Sequence, residues 1–426
     1  MPHFAAPAGR CCSTLTTTLQ AVLAKQPVDP VSMQSSPWQQ LHASAAGSGL
    51  GLQQVPELLA ARQQLKCPPH DWHMTVNERR ALDRALAGVL RQHTSAEHLE
   101  LRRLQLDSPA DQVLYAMEAD SVHPVRELQE VRARLHPRSH RLWTLHHTAA
   151  PDAAALVALF GALCDQPPSS MAEVRGASHP GGDGAWLTFY SIAASHAGAG
   201  GLGLPHTCLK LASAYADSTA QSGTVTGLLT ISPLPMANAW LTDAAARLRA
   251  LPADTALFCA AGQLSSPAAQ ALHVNLAWVD AGGAPVPPPA SAAQLDALGL
   301  ESSVHDLADL FTALSIGAPI TEHFDLEEVT RDVMRWYLLY APRSPATEPA
   351  EYDAAPPACP VAAFHLGNGA GLGRVCPAAD ASELRLAQSS GTMVNYVYRS
   401  PTFTADASRT AASRAARVAD AKTGIL

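Results

Sequence analysis

The stretch from Trp186 to Ile231 decides the fold. It opens with WLTFYSIAA (Trp186–Ala194), passes through HAGAGGLG (His196–Gly203) and closes with TVTGLLTI (Thr224–Ile231). The outer runs are rich in β-formers and read as strands, the first of them buried. Between them, residues from about Leu204 to Ala216 read as a helix. Strand, glycine loop, helix, strand is a βαβ unit, so the middle of the chain is expected to be α/β.

Upstream, the signals are helical. Pro56 opens a helix through Leu65. Thr75-Val-Asn-Glu78 is a capping-box pattern. Leu82, Leu86, Val89 and Leu90 then recur on one helical face. Ser108-Pro109 starts another helix with Leu114 and Met117 inward, and Pro124 a third with Val125, Leu128, Val131 and Leu135 on one side. Residues 34–51 are polar and small, and read as a linker. Residues 1–50 form a leader, disordered or a transit peptide, since no acidic residue occurs from Met1 to Val28. Downstream, helices are expected over Trp240–Leu251, Leu307–Leu314 and Leu326–Tyr340. Gly282–Ala293 and Arg343–Pro357 read as linkers, and 403–426 as a tail. The fold class is therefore α+β, with a helical domain over 51–120 and an α/β domain over 121–402.

Composition narrows the function. The 426 residues are 47% hydrophobic and 15% charged, enough to bury a sizeable core. A net charge of -8 argues against nonspecific nucleic-acid binding. The 8 cysteines include no CxxC pair, so no zinc site is expected. No apolar run reaches the roughly 18–20 residues that span a bilayer. The C-terminus is not a Ser-Lys-Leu signal.

Several residues carry possible chemistry. Gly198, Gly200, Gly201 and Gly203 let backbone N–H groups approach an anion at a helix start, as a pyrophosphate needs. Such loops also serve as plain structural turns. Ser232 sits just past the second strand, where α/β sheets bind ligands, or is a Ser-Pro turn that stops the strand. His365 follows an apolar run and precedes Leu-Gly-Asn368-Gly. It faces a cleft or fills a core. Asn395-Tyr-Val-Tyr398 reads as a strand, with Tyr396 and Tyr398 on opposite faces and one of them in the core. His136, His140, His146 and His147, beside four arginines, read as a solvated basic face rather than a metal site.

Seven blocks in one order resemble the malonyl-CoA decarboxylase family. They are Leu99–Ala110 (LELRRLQLDSPA), Ser121–Val125 (SVHPV), Phe189–Ile192 (FYSI), Leu229–Pro235 (LTISPLP) with Trp240-Leu241, Met334–Leu338 (MRWYL), Pro360–Ala370 (PVAAFHLGNGA) and Gln388–Tyr398 (QSSGTMVNYVY). The resemblance implies a helical domain followed by a domain like the acetyltransferase (GNAT) fold. It implies conversion of malonyl-CoA to acetyl-CoA and carbon dioxide, tied to fatty-acid metabolism, with no cofactor and no metal. The family's active-site Ser, His and Tyr fall on Ser232, His365 and Tyr398. Its coenzyme A segment falls on the Gly198–Gly203 loop, with Asn368 also expected at the substrate. No nucleic-acid or membrane partner is implied. A homo-oligomer through the helical domain is allowed, in the mitochondrial matrix or the cytoplasm.

The sequence departs from the family at several positions: the Asn-Trp segment after the Gly/Asn loop has become Val375-Cys-Pro-Ala378, the acidic strand residue expected after Pro151 is replaced within Leu156–Leu163, the helical front part is shorter, and residues Leu257–Pro289 match no family block. The family's acidic active-site residue in the glycine loop would fall on Gly203. A catalytically impaired acyl-CoA-binding protein and a coenzyme A-dependent acyltransferase therefore stand as alternative readings.

Overall fold

A computed structural model describes residues 55–66, 76–150, 154–177, 185–220, 225–273, 287–317, 326–341 and 357–398. The leader, Thr75 of the capping box, residues 282–286 and 343–356 of the two later linker segments and the tail lie outside the described residues.

In chain order the elements are α1 (Val55–Lys66), α2 (Val76–His93), β1 (Leu99–Leu104), α3 (Ala110–Ala119), α4 (Leu128–Arg134), β2 (His140–His147), β3 (Val157–Cys164), α5 (Met171–Arg175), β4 (Ala185–Ala193), α6 (Leu204–Ala220), β5 (Val225–Pro233), α7 (Ala237–Arg249), α8 (Ser266–Ala271), α9 (Ala292–Ala297), α10 (Val304–Ile316), α11 (Leu326–Tyr340), α12 (Pro360–Gly367), β6 (Gly371–Cys376), α13 (Glu383–Ser389) and β7 (Met393–Tyr398). The strands follow the order β1-β2-β3-β4-β5-β7-β6. No described helix is long and apolar enough to cross a membrane. The described residues gather into two compact units, the first drawn from 55–135, 142–159 and 192–212, the second from 136–141, 160–191 and 213–398.

In the first unit, α2 buries Leu82, Leu86, Val89 and Leu90 as the spacing requires. Each buried side chain of this size contributes about 1.5–3 kcal/mol. Arg62 of α1 is 3% exposed, bonded to Asp83 (Nε to Oδ1, 2.7 Å) and to the Gly198 carbonyl (2.7 Å). Strand β1 overlaps residues 97–103, read as a surface-charged helix or a strand edge, and pairs antiparallel with β2, Leu99 opposite His147. Two apolar residues expected inward are exposed: Leu114 on α3 and Leu128 on α4. On α3 the packed face is Val113, Ala116 and Met117, which leaves Leu114 outside it. The short α4 buries none of its residues.

The expected solvated histidine face holds for His136, which is exposed, and fails for the other three. His140, His146 and His147 are buried. Successive side chains of β2 project from opposite faces of the sheet, and all but Arg141 are buried, so both faces are covered and the histidines find internal partners. His147 Nε2 lies 2.9 Å from the His93 carbonyl, His146 Nε2 3.0 Å from Thr144 Oγ1, and His140 Nδ1 3.0 Å from Ser139 Oγ.

In the second unit, β4 and β5 run parallel, and β5–β7 and β7–β6 antiparallel. The β4–β5 register ends with Phe189 opposite Thr230, though β5 continues to Pro233. Helices α7 and α10 pack together, and Trp240 of α7 sits among Phe311, Trp336 and Tyr337 at ring distances of 5.5, 5.6 and 5.0 Å.

Candidate active site

Strands β5 and β7 build one wall of the site. Thr230 pairs with Tyr396, Leu228 with Tyr398 and Ser232 with Val394. Side chains alternate along a strand, and directly paired residues share a face. Thr230, Ser232, Tyr396 and Tyr398 therefore stand on one face of the sheet. This corrects two expectations. Ser232 lies within the strand, held there by pairing to β7, rather than past its end. Tyr396 and Tyr398, two apart, share a face rather than opposing one another.

Helix α12 supplies the remaining side chain. Pro360 occupies its first turn, where a missing N–H costs nothing. Ala362, His365 and Leu366 form its buried face, so His365 points inward from the last turn. Asn368 caps the helix, its N–H bonded to the Phe364 and His365 carbonyls. Gly369, at φ 84°, then turns the chain toward β6.

The result is a line of hydrogen bonds. His365 Nδ1 lies 2.7 Å from Tyr398 Oη, and Nε2 lies 3.0 Å from Ser232 Oγ. Ser232 donates in turn to Thr230 Oγ1 at 2.9 Å. With Ser232 donating onward, Nε2 carries the imidazole hydrogen and Nδ1 accepts from Tyr398. Tyr396 stacks on the imidazole, 4.6 Å between ring centres and 21° between planes.

Burial sets the charge of these groups. It pushes the His365 imidazolium pKa down to about 3 and lifts the Tyr398 and Tyr396 phenols well above their usual range. At neutral pH the whole line is uncharged. The Asn368 Nδ2 is buried with no partner among the described residues, a donor left for an acceptor oxygen. Among the described residues no three His, Cys, Asp or Glu side chains group as a metal site would require.

Of the residues singled out in the sequence, Ser232, His365 and Tyr398 come together, with Asn368 at the end of the same helix. Gly198, Gly200, Gly201 and Gly203 lie in the first unit, and their placement has local causes. A Cβ on Gly198 would sit 2.1 Å from the Leu59 carbonyl oxygen, and one on Gly200 2.6 Å from Lys66 Nζ. Gly201 and Gly203 have φ of 77° and 79°. Arg62, Lys66 and Arg91 donate to the carbonyls of Gly198, Gly200 and Gly201. Those carbonyls are thus turned toward basic side chains of α1 and α2. Thr230 is not singled out in the sequence, and Tyr396 is expected there on the face opposite Tyr398. The signal for them is the period of two in Thr230-x-Ser232 and Tyr396-x-Tyr398.

The sequence model for the malonyl-CoA decarboxylase C-terminal domain matches residues 97–270 and 321–420. Solved structures of malonyl-CoA decarboxylases share the fold at low identity. That from Rhodopseudomonas palustris is 21% identical, with a TM-score of 0.56, covering 92% of this chain and 81% of its own. That from Agrobacterium vitis is 21% identical, with a TM-score of 0.57 and coverages of 92% and 83%. That from Cupriavidus metallidurans is 19% identical, with a TM-score of 0.53 and 95% of each chain covered. No curated protein matches.

Proposed function

This chain belongs to the malonyl-CoA decarboxylase family, and we propose from that premise that it converts malonyl-CoA to acetyl-CoA and carbon dioxide. The observation that carries this reading is the uncharged line Tyr398–His365–Ser232–Thr230, buried on one face of β5 and β7.

Decarboxylation breaks the bond between the α-carbon and the carboxylate carbon. The electron pair passes into the thioester carbonyl and gives an enolate, whose carbon then takes a proton. The carbonyl is its own electron sink, so the proposed reaction uses no cofactor. The protein must aim donors at the developing oxyanion and hold a proton near the carbon. Asn368 Nδ2 and the Ser232 hydroxyl are suited to these two tasks. A substrate within reach competes with Thr230 for the Ser232 hydrogen. A proton given up by Ser232 is replaced from His365 Nε2, and His365 is replenished from Tyr398. Solvent restores the proton over the whole cycle. His365 works here as a neutral relay rather than as a base that must charge.

The family assignment supports an acetyltransferase-like second domain with the Gly198–Gly203 loop at coenzyme A, and a place in fatty-acid metabolism in the mitochondrial matrix or the cytoplasm. A second reading is favoured by Gly203, which stands where the family carries a carboxylate: an acyl-CoA-binding protein with impaired turnover.

Purified protein given malonyl-CoA should release carbon dioxide, and His365→Ala should lower kcat at least about a hundredfold with thioester binding retained. Binding of malonyl-CoA without release of carbon dioxide by the unmodified chain would reject catalysis in favour of the second reading.

A further inference from the structure

The first unit contains a cleft of about 670 Å³ lined by the end of α1 and the opening turns of α2. Lys66, Asn77, Arg79, Arg80, Asp83 and Arg84 face it. Its one described carboxylate does not offset Arg79, Arg80 and Arg84. Asp83 is held by Arg62 through Nε at 2.7 Å and Nη2 at 3.3 Å. Arg79, Arg80 and Arg84 have no carboxylate partner among the described residues. Arg84 donates instead to the Arg80 carbonyl.

The chain as a whole carries a net charge of -8. A basic cleft on an acidic chain is a local device, and its field favours an anion. The start of α2 adds the positive end of its helix dipole. Arginine is also suited to the shape of the ligand. Its planar fork binds phosphate with two bonds and stacks on aromatic rings. The volume is larger than a lone phosphate needs and falls in the usual range for small-molecule sites, about 300–1,000 Å³. Leu65 adds an apolar stretch of wall.

We propose that this cleft binds a phosphorylated nucleoside, with Arg79, Arg80 and Arg84 on its phosphates. Two sources share that chemistry. One is the nucleotide end of coenzyme A. Lys66 lines the cleft and also reaches the Gly200 carbonyl at 3.4 Å, so the cleft adjoins the loop assigned to coenzyme A. This source rests on the decarboxylase reading. The other is a free adenine nucleotide acting from its own site.

The test is calorimetric titration of the full chain with adenosine 3′,5′-bisphosphate, ATP and inorganic phosphate, at low and high salt. The same titrations are run on Arg80→Ala/Arg84→Ala and on Arg79→Glu, two variants that do not share a substituted residue. The unmodified chain should bind at least one of the nucleotides more tightly than inorganic phosphate, and more weakly as salt rises. Each folded variant should lose about tenfold or more in affinity. No nucleotide binding by the unmodified chain, or equal affinity in a folded variant, overturns the proposal.

Kinetics separate the sources. A tenfold rise in KM for malonyl-CoA, with turnover of malonyl-pantetheine unchanged, assigns the cleft to the coenzyme A nucleotide. An unchanged KM with weakened ATP binding assigns it to a free nucleotide. If neither thioester is turned over, the decarboxylase reading fails while the nucleotide titrations still decide the cleft.

Discussion

The imidazole of His365 is held from two sides: Tyr398 Oη meets its Nδ1 at 2.7 Å, and the Tyr396 ring lies under it at 4.6 Å. One tyrosine fixes which nitrogen carries the hydrogen, and the other fixes the plane of the ring. Tyr398→Phe should therefore lower kcat by about ten- to a hundredfold while leaving KM within a factor of two to three. It should also cost about 1–3 kcal/mol in stability, because Nδ1 is left buried without a partner. Carbon dioxide release and urea unfolding of the same preparation check both effects.

The pH dependence follows from the burial of His365. Its pKa is about 3 when folded, against about 6.5 in an unfolded chain. Between these values the unfolded chain binds a proton that the native one does not. Stability from this group is thus complete above about pH 6.5 and falls as pH drops toward 3, by at most about 1.4 kcal/mol per pH unit. The His365→Gln variant should lose that part of the acid sensitivity in urea midpoints measured from pH 4 to 7. The kcat profile of the unmodified protein should have no inflection near 6.5 assignable to His365.

Gly203 cannot be exchanged for a carboxylate-bearing residue without strain. Its φ is 79°, although nothing lies within 4 Å of an added Cβ. Gly203→Glu should cost about 1–2 kcal/mol from backbone conformation alone. Gly203→Asn should cost less, because Asn tolerates the left-handed region. A glutamate variant as stable as the unmodified chain would contradict the geometry.

Gly198 offers the opposite case, with a steric obstacle at the site of substitution. An added Cβ would meet the Leu59 carbonyl oxygen at 2.1 Å, and backbone cannot swing away as a side chain can. Gly198→Ala should destabilise the protein by about 1–3 kcal/mol, seen as a lower thermal midpoint. If the fold persists, hydrogen exchange should quicken along α1 and the loop.

The parts legible in the sequence are those fixed by neighbours in the chain. The apolar face of α2 and the strand–loop–helix–strand of β4, α6 and β5 follow from local spacing. The association of Ser232, His365 and Tyr398 came from the family blocks, since no local signal links three residues on three elements. What escaped was decided by distant partners. Ser232 belongs to its strand because β7 pairs with it, and the histidines of β2 are buried because both faces of that strand are covered. The close packing of Gly198 and Gly200 against α1, which precedes them by more than a hundred residues, likewise has no local signal. Leu114 and Leu128 looked inward on paper because an apolar residue at helical spacing does not reveal which side its neighbours will cover.

Strand β7 is the last described element of the chain, yet it lies between β5 and β6. Its side chains act on two faces at once. Tyr396 and Tyr398 complete the line through His365. Asn395, on the other face, donates to the carbonyls of Thr230 and Pro168, both at 3.2 Å. On the ribosome, this wall of the pocket does not exist until residue 398 has emerged and the strand has slotted between neighbours already made. Insertion one residue out of step would present Asn395 and Val397 where the two tyrosines belong. Competence for chemistry and completion of the sheet are therefore one event, and a chain truncated before Met393 should be inert however well its earlier helices have formed.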